Sequence, residues 1–258
     1  MTTLNLAPAP GAAPLGRMVR AQALVETRLL LRSGEQLVLA VVLPLLALIA
    51  GARSGGLVDL GAGRPIDVVA PGVLALAVLS TAFTSLAIAT GFERRAGVLK
   101  RLGATPLPRT GLLAGKALAV VGVEALQVLV IGATAFALGW QPSGDATTVI
   151  AGLAVLALGT ACFASLGLAL AGTLRAEATL AVANLVYLLL LVGGAIVVPL
   201  SRHPEGLQPY LELLPSTALA QALRSLSAGD AAPAGAVLVL AGWTALGTLA
   251  AARTFRWE

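Results

Sequence analysis

Charge is scarce in this sequence. Only 11% of its 258 residues are Asp, Glu, Lys or Arg, against about 25% in a soluble domain of ordinary composition. Too little polar surface remains to cover a water-facing globule. The net charge of +5 therefore raises the question of which side of a bilayer holds it, and nucleic acid is not an expected partner. There is one cysteine, Cys162, inside an apolar run, which leaves no disulfide framework and no Cys-based metal site. The single histidine, His203, falls between apolar runs and reads as an ordinary surface residue. No Ser/His/Asp set, metal-ligand cluster or pair of membrane carboxylates is present, so no catalytic residue and no metal is assigned. The opening stretch "MTTLNLAPAPGAAPLG" has neither a basic n-region nor an apolar core. It reads as a short disordered tail over residues 1–16, not as a cleaved signal peptide.

What fills the chain instead is apolar residues, 58% of the total, gathered into long uncharged runs. Five are plain, at 66–92, 117–139, 146–174, 178–200 and 231–252. Each meets the roughly 20 residues a helix needs to cross the hydrocarbon. A sixth run, Leu37 to Ala52, is shorter, contains Pro44, and reaches that length only with Glu35 and Gln36 in the interface. The expectation is an all-α integral membrane protein, with residues 17–258 forming one transmembrane domain. Its six spans lie near 35–53, 66–92, 111–139, 146–174, 178–200 and 231–252. With the N-terminus inside, the outer segments hold only Arg53, Arg64, Arg202 and Arg224, so 13 of the 17 basic residues fall inside. Positive residues in short loops mark the cytoplasmic side. Both termini are expected in the cytoplasm, with the chain multi-pass in the cell (inner or plasma) membrane.

The segments around the spans carry the remaining information. Arg17 to Arg32 predicts an interfacial helix, with Arg20, Arg28 and Arg32 on one side and Met18, Val25 and Leu29 on another. Between the second and third spans, Gly91 to Lys116 holds six basic residues. Placed on a helix, Glu93, Gly97, Lys100 and Arg101 share one face with Arg94 at its edge, while Val98, Leu99 and Leu102 face the other way. Mid-helix glycine costs about 0.5–1 kcal/mol relative to alanine. At the centre of a charged face, Gly97 would let another surface approach. Gly103 suits the end of this helix, and Thr105-Pro106 suits the N-cap and first position of the next. Glu124 is the only ionisable residue deep in an expected span, with Gln127 at i+3. A charge there costs about 2.5–3.5 kcal/mol on insertion scales, so Glu124 faces either a translocation cavity or a polar partner on another helix. Gly111 and Gly115 mark a close helix contact.

Taken together, "FERRAGVLKRLGATPLPRTGLLAGK" resembles the cytoplasmic loop of type-2 ATP-binding-cassette (ABC) exporter permeases, the family that includes daunorubicin-type drug-efflux permeases. Glu93-Arg94, Gly97, Leu99 and Leu102-Gly103-Ala104-Thr105-Pro106 carry the likeness. The later "LLPSTALAQALRSLSAGD" resembles that family's outer segment, through Pro215, Ala222, Leu223, Arg224 and Gly229. The resemblance implies a re-entrant helical segment within 201–230 and a coupling helix seated in a groove of an ATPase. It also implies two ATPase subunits beneath the membrane and a second permease, identical or related. Glu93, Arg94, Gly97, Lys100, Arg101, Thr105 and Pro106 are then the docking residues. Glu124 and Gln127 become candidates for the translocation pathway.

Nucleotide must bind a partner. A P-loop needs Gly, four residues, then Gly-Lys-Ser/Thr, and the sole Gly-Lys pair, Gly115-Lys116, has Thr110 at the required glycine and Ala117 after it. ATP and Mg are thus expected on the ATPase subunit, with no cofactor on this chain. The expected cargo is hydrophobic or amphipathic: a drug, a metabolite or a lipid-like molecule. The alternatives are a polysaccharide or glycolipid exporter of the same architecture, an ion-coupled carrier, and a membrane scaffold without cargo.

Overall fold

A computed structural model describes residues 11–32, 34–53 and 64–254, with the side chains of residues 31, 34–40 and 109 outside the description. Regular structure among these residues is helical throughout. Helix α1 (Leu15–Arg32) leads into α2 (Gly34–Ala52). Next, α3 (Pro65–Val78) passes through a π-helical turn (Leu79–Ser85) into α4 (Leu86–Arg95). Short α5 (Val98–Gly103) precedes the long α6 (Arg109–Ala137), α7 (Ala146–Thr173) and α8 (Ala176–Gly193). After a 3₁₀ turn at Leu200–Arg202 come α9 (Gln208–Leu211), α10 (Pro215–Ser227) and α11 (Ala234–Thr254).

Among the described residues, five helices are long and apolar enough to cross a membrane: Pro65–Arg95, Thr110–Ala137, Ala146–Thr173, Ala176–Gly193 and Ala234–Thr254. The sixth expected span corresponds to α2, whose described apolar stretch, Val41–Ala52, is shorter. Most of the expected tail, residues 1–10, lies outside the described residues.

The α3–α4 rod is the centre of the molecule. It packs against α2, α6, α7, α8 and α10, and eleven residues of α3 are buried. Small residues such as Ala70, Gly72, Ala75 and Ala77 let the neighbours come close. The outer helices turn their large apolar side chains outward, with Leu129, Ile150, Leu189 and Leu246 all well exposed. Faces of that kind, on a chain so short of charge, match a hydrocarbon surrounding. The π turn widens the rod at mid-length, and α7 accommodates it at Gly167. A Cβ there would lie 2.8 Å from the Phe83 carbonyl oxygen.

Three local expectations are corrected. Residues 93–102 do not form one helix: α4 ends at Arg95, and Gly97 stands between the helices with φ of +70°. This left-handed backbone, not an open mid-helix face, is what the glycine supplies. Thr105-Pro106 does not start the next helix. The Thr105 hydroxyl donates back to the Leu102 carbonyl at 2.6 Å, and α6 begins at Arg109 with Pro108 as its cap. The fifth apolar run is helical only to Gly193, because the chain turns at Gly194 and at Ala195 (φ +50°).

Helix α1 lies along α6 over most of its length. A Cβ on Gly111 would come within 3.2 Å of Leu15, one on Gly115 within 2.9 Å of Gln22, and one on Gly122 within 3.4 Å of Thr27. The GxxxG pair thus seats α1, and its half-buried stripe Met18, Gln22, Glu26 and Leu30 runs at helical spacing. Val25 and Leu29 stay exposed beside the basic face.

Candidate functional site

The chain concentrates its chemistry at one end of the bundle, where α4, α5 and α1 meet the start of α6. Leu99 of α5 is fully buried in a small apolar cluster with Leu107 and Leu112, against Met18 and Val19 of α1. This cluster is separate from the main core. It clamps α5 to α1 and α6, and leaves Lys100, Arg101, Gly103, Ala104, Thr105 and Pro106 exposed on the far side. Space around Gly97 is open, with nothing within 4 Å of a Cβ placed there.

Glu93 and Arg94 do not share that exposed surface. Arg94 donates to the carbonyls of Gly172 (2.9 Å) and Leu174, capping the end of α7. Neighbouring Arg95 pairs with Glu177 at the start of α8. The Glu93 carboxylate turns inward to Lys116 of α6, at 2.5 Å, and Lys116 also binds Glu26 of α1 at 2.8 Å. Lys116 is almost fully buried. Gln22 donates to the same Glu26 oxygen, Oε1, at 2.8 Å. In the sequence Lys116 is one more inner-loop cation, and Glu26 carries no expected role. The usable signal was the stripe Met18-Gln22-Glu26-Leu30, whose polar members break an otherwise apolar face opposite the arginines.

Beside this three-charge cluster lies a cavity of about 410 Å³ between α1, α4 and α6, walled by Leu29, Leu86, Phe92, Val120 and Val123 among others. Further along α6, two polar bridges tie it to its neighbours. Thr81 in the π turn donates to Gln127 at 3.1 Å, both buried, and Thr160 of α7 donates to Glu124. Glu124 thus has a polar partner on another helix through Oε2, while its buried Oε1 has no hydrogen-bond partner among the described residues. A second cavity, about 250 Å³, lies beyond these bridges between α3, α6, α7 and α10.

At the opposite end, α10 starts at Pro215, its first-turn proline, and buries nine residues against α3, α7 and α11. Arg224 reaches across to the carbonyls of Ala195 (2.6 Å), Ile196 (2.5 Å) and Val68 (3.3 Å). Backbone that leaves a helix in an apolar setting needs such a donor. Burial pulls the Arg224 guanidinium down to about 10, which still leaves it charged at neutral pH. Gly229 ends the segment with φ of +90°. The loop from α6 to α7 joins it: Ser143 N–H donates to the Ser227 carbonyl, and the Trp140 indole to the Ser227 hydroxyl. Asp145 caps α7 by accepting from Thr148 N–H at 2.9 Å, which holds its carboxyl below the usual range.

Among known families, the sequence model described as ABC-2 type transporter matches residues 18–227. The chain belongs to the ABC-2 type transporter family. The matched residues run from α1 through α10, so both the α5 projection and the Arg224 segment lie inside the ABC-2 domain. As an ABC-2 protein it is the membrane permease component of an ABC transporter, and ATP hydrolysis belongs to ATPase partner subunits. No curated protein matches the chain closely enough to serve as a relative.

Proposed function

We propose that this ABC-2 permease works as an exporter subunit, moving a hydrophobic or amphipathic small molecule outward under the drive of two separate ATPase subunits, alongside a second permease. The observation that carries the reading is the α5 projection. It is short, rigidly anchored through Leu99, and joined at one end to the central α3–α4 rod and at the other to α6. A push on Lys100, Arg101, Thr105 or Pro106 would reach both spans that line the 410 Å³ cavity. The docking set is accordingly the exposed group around Lys100 and Arg101. Glu93 and Arg94 brace the projection from behind, and Gly97 supplies its turn. Glu124 and Gln127 act as cross-braces between the two cavities, which supports a structural role over contact with cargo. In this reading the α5 end faces the cytoplasm and the Pro215–Gly229 segment faces outward.

The test is reconstitution of the chain with its ATPase in proteoliposomes, following ATP hydrolysis and uptake of an amphipathic dye into inverted vesicles. Reversing both Lys100 and Arg101 to Glu should cut ATPase co-purification and coupled transport at least tenfold, with unchanged expression of the permease. Normal coupling in that double variant would remove α5 as the docking element. A complex that hydrolyses ATP without moving any cargo would favour the scaffold.

A further inference from the structure

The cluster of Lys116, Glu26 and Glu93 does not balance. Two carboxylates share one ammonium, so one negative charge is left over whenever both acids are ionised. The three members differ in access. The Lys116 side chain is 1% exposed, whereas Glu26 is 13% and Glu93 27% exposed, and all three line the 410 Å³ cavity. The carboxylates are therefore the more accessible members, and the excess charge is theirs to present to the cavity. Lys116 engages Glu26 Oε1 and Glu93 Oε2. Among the described residues, no hydrogen bond or ion pair takes up the other oxygen of either acid.

Nearby cations do not cancel this charge. Arg28 is two residues beyond Glu26 on α1, about 160° round the helix, and it is exposed. Arg94 is committed to the carbonyls at the end of α7, and Arg95 to Glu177. Apart from Thr81 and Ser85, the rest of the cavity wall is apolar: Leu29, Leu30, Leu86, Ala89, Phe92, Val120 and Val123 among its members. An uncompensated charge in such surroundings is costly, and a counter-charge that brings its own apolar body removes the cost. Phe92 adds an aromatic ring to the wall, a group whose face attracts organic cations. Size points the same way. A dry protein cavity of about 150 Å³ holds one benzene, so about 410 Å³ accommodates a body of two to three fused rings.

We infer that the cavity between α1, α4 and α6 is a binding site for an amphipathic organic monocation, held by the Glu26–Glu93 pair through its charge and by the leucine–valine wall through its rings. The inference names the ligand class of one cavity and stands apart from export. Binding is read on the permease alone, whereas export needs the ATPase, so the two readings fail in different assays.

The experiment uses the full chain in nanodiscs of uncharged phosphatidylcholine, with empty discs as the blank. Ethidium, a permanent monocation with three fused rings, is titrated by fluorescence, and uncharged phenanthridine by competition. Ethidium should bind saturably at one site, at least tenfold more tightly than phenanthridine. Glu26→Gln keeps an acceptor for Lys116 and neutralises the cluster, so it should weaken ethidium about tenfold and leave phenanthridine within twofold. Ala89→Phe, which fills the cavity, should abolish both. Equal ethidium affinity in Glu26→Gln, or binding that survives Ala89→Phe, would overturn the site. So would a wild-type preference for the neutral ring system.

Discussion

Lys116 shows how far a residue's meaning depends on what the fold sets against it. In sequence it is the last basic residue of a loop rich in them. In the structure it is almost completely buried and holds α1 and α4 to α6 through two carboxylates. Breaking a fully buried ion pair by removing one partner costs about 3–5 kcal/mol. Glu26 and Glu93 keep some access to the cavity, so Lys116→Met is expected near the lower end, about 3 kcal/mol. Glu26→Gln retains the hydrogen bond and should cost no more than about 1 kcal/mol. Detergent-induced unfolding of the purified chain, followed by circular dichroism, checks the order. An equal loss in both variants would mean the cluster is held by packing and not by charge. The same residues mark a limit of sequence reading. Charge counts assign a side chain to a side of the membrane, but not to a partner 90 residues away. For Glu124 the sequence allows a shorter list, because a carboxylate in mid-span has so few tolerable surroundings.

The spanning helices were legible from hydropathy because length and apolarity are what a bilayer demands. The expected runs at 66–92, 111–139, 146–174 and 231–252 return as helices with ends shifted by a few residues. Where the backbone departs from regularity, composition was silent. Four of the seven residues in "LSTAFTS" are Ser or Thr, which lowers helix propensity without specifying a π turn. The turn meets α7 at Gly167, where the missing side chain lets the Ala82 and Phe83 carbonyls approach. Gly167→Ala would put a Cβ 2.8 Å from a backbone oxygen, which must move. Overpacking of this kind costs about 1–3 kcal/mol. Gly132 of α6 offers the contrast, for nothing lies within 4 Å of a Cβ built there. Gly132→Ala should be neutral or stabilising by up to about 1 kcal/mol. Opposite signs for two Gly→Ala changes in spanning helices would tie the π turn to its glycine. A loss at both positions would point instead to a partner subunit packed on Gly132.

For the molecule as a whole, the two ends of the bundle differ in chemistry, and that difference fixes an expected orientation. One end carries α5, the Lys116 cluster and the arginine caps on α7 and α8. The other carries the Arg224 segment, its junction with Ser143 and the exposed Gly206 turn. Thirteen basic residues against four favour the first end as cytoplasmic. Single cysteines can report this, because the native Cys162 is buried and gives little background. Ser143→Cys and Gly206→Cys lie on exposed backbone at the second end, and Ala104→Cys is exposed beside α5. With a membrane-impermeant maleimide on intact cells, the first two should label and Ala104→Cys should not. After permeabilisation all three should react. The pairing of results matters as much as the sign. Labelling of Ala104→Cys alone would invert the molecule and put the α5 projection out of reach of any cytoplasmic ATPase. Labelling of all three in intact cells would mean that α3–α4 does not separate the two ends as one spanning rod.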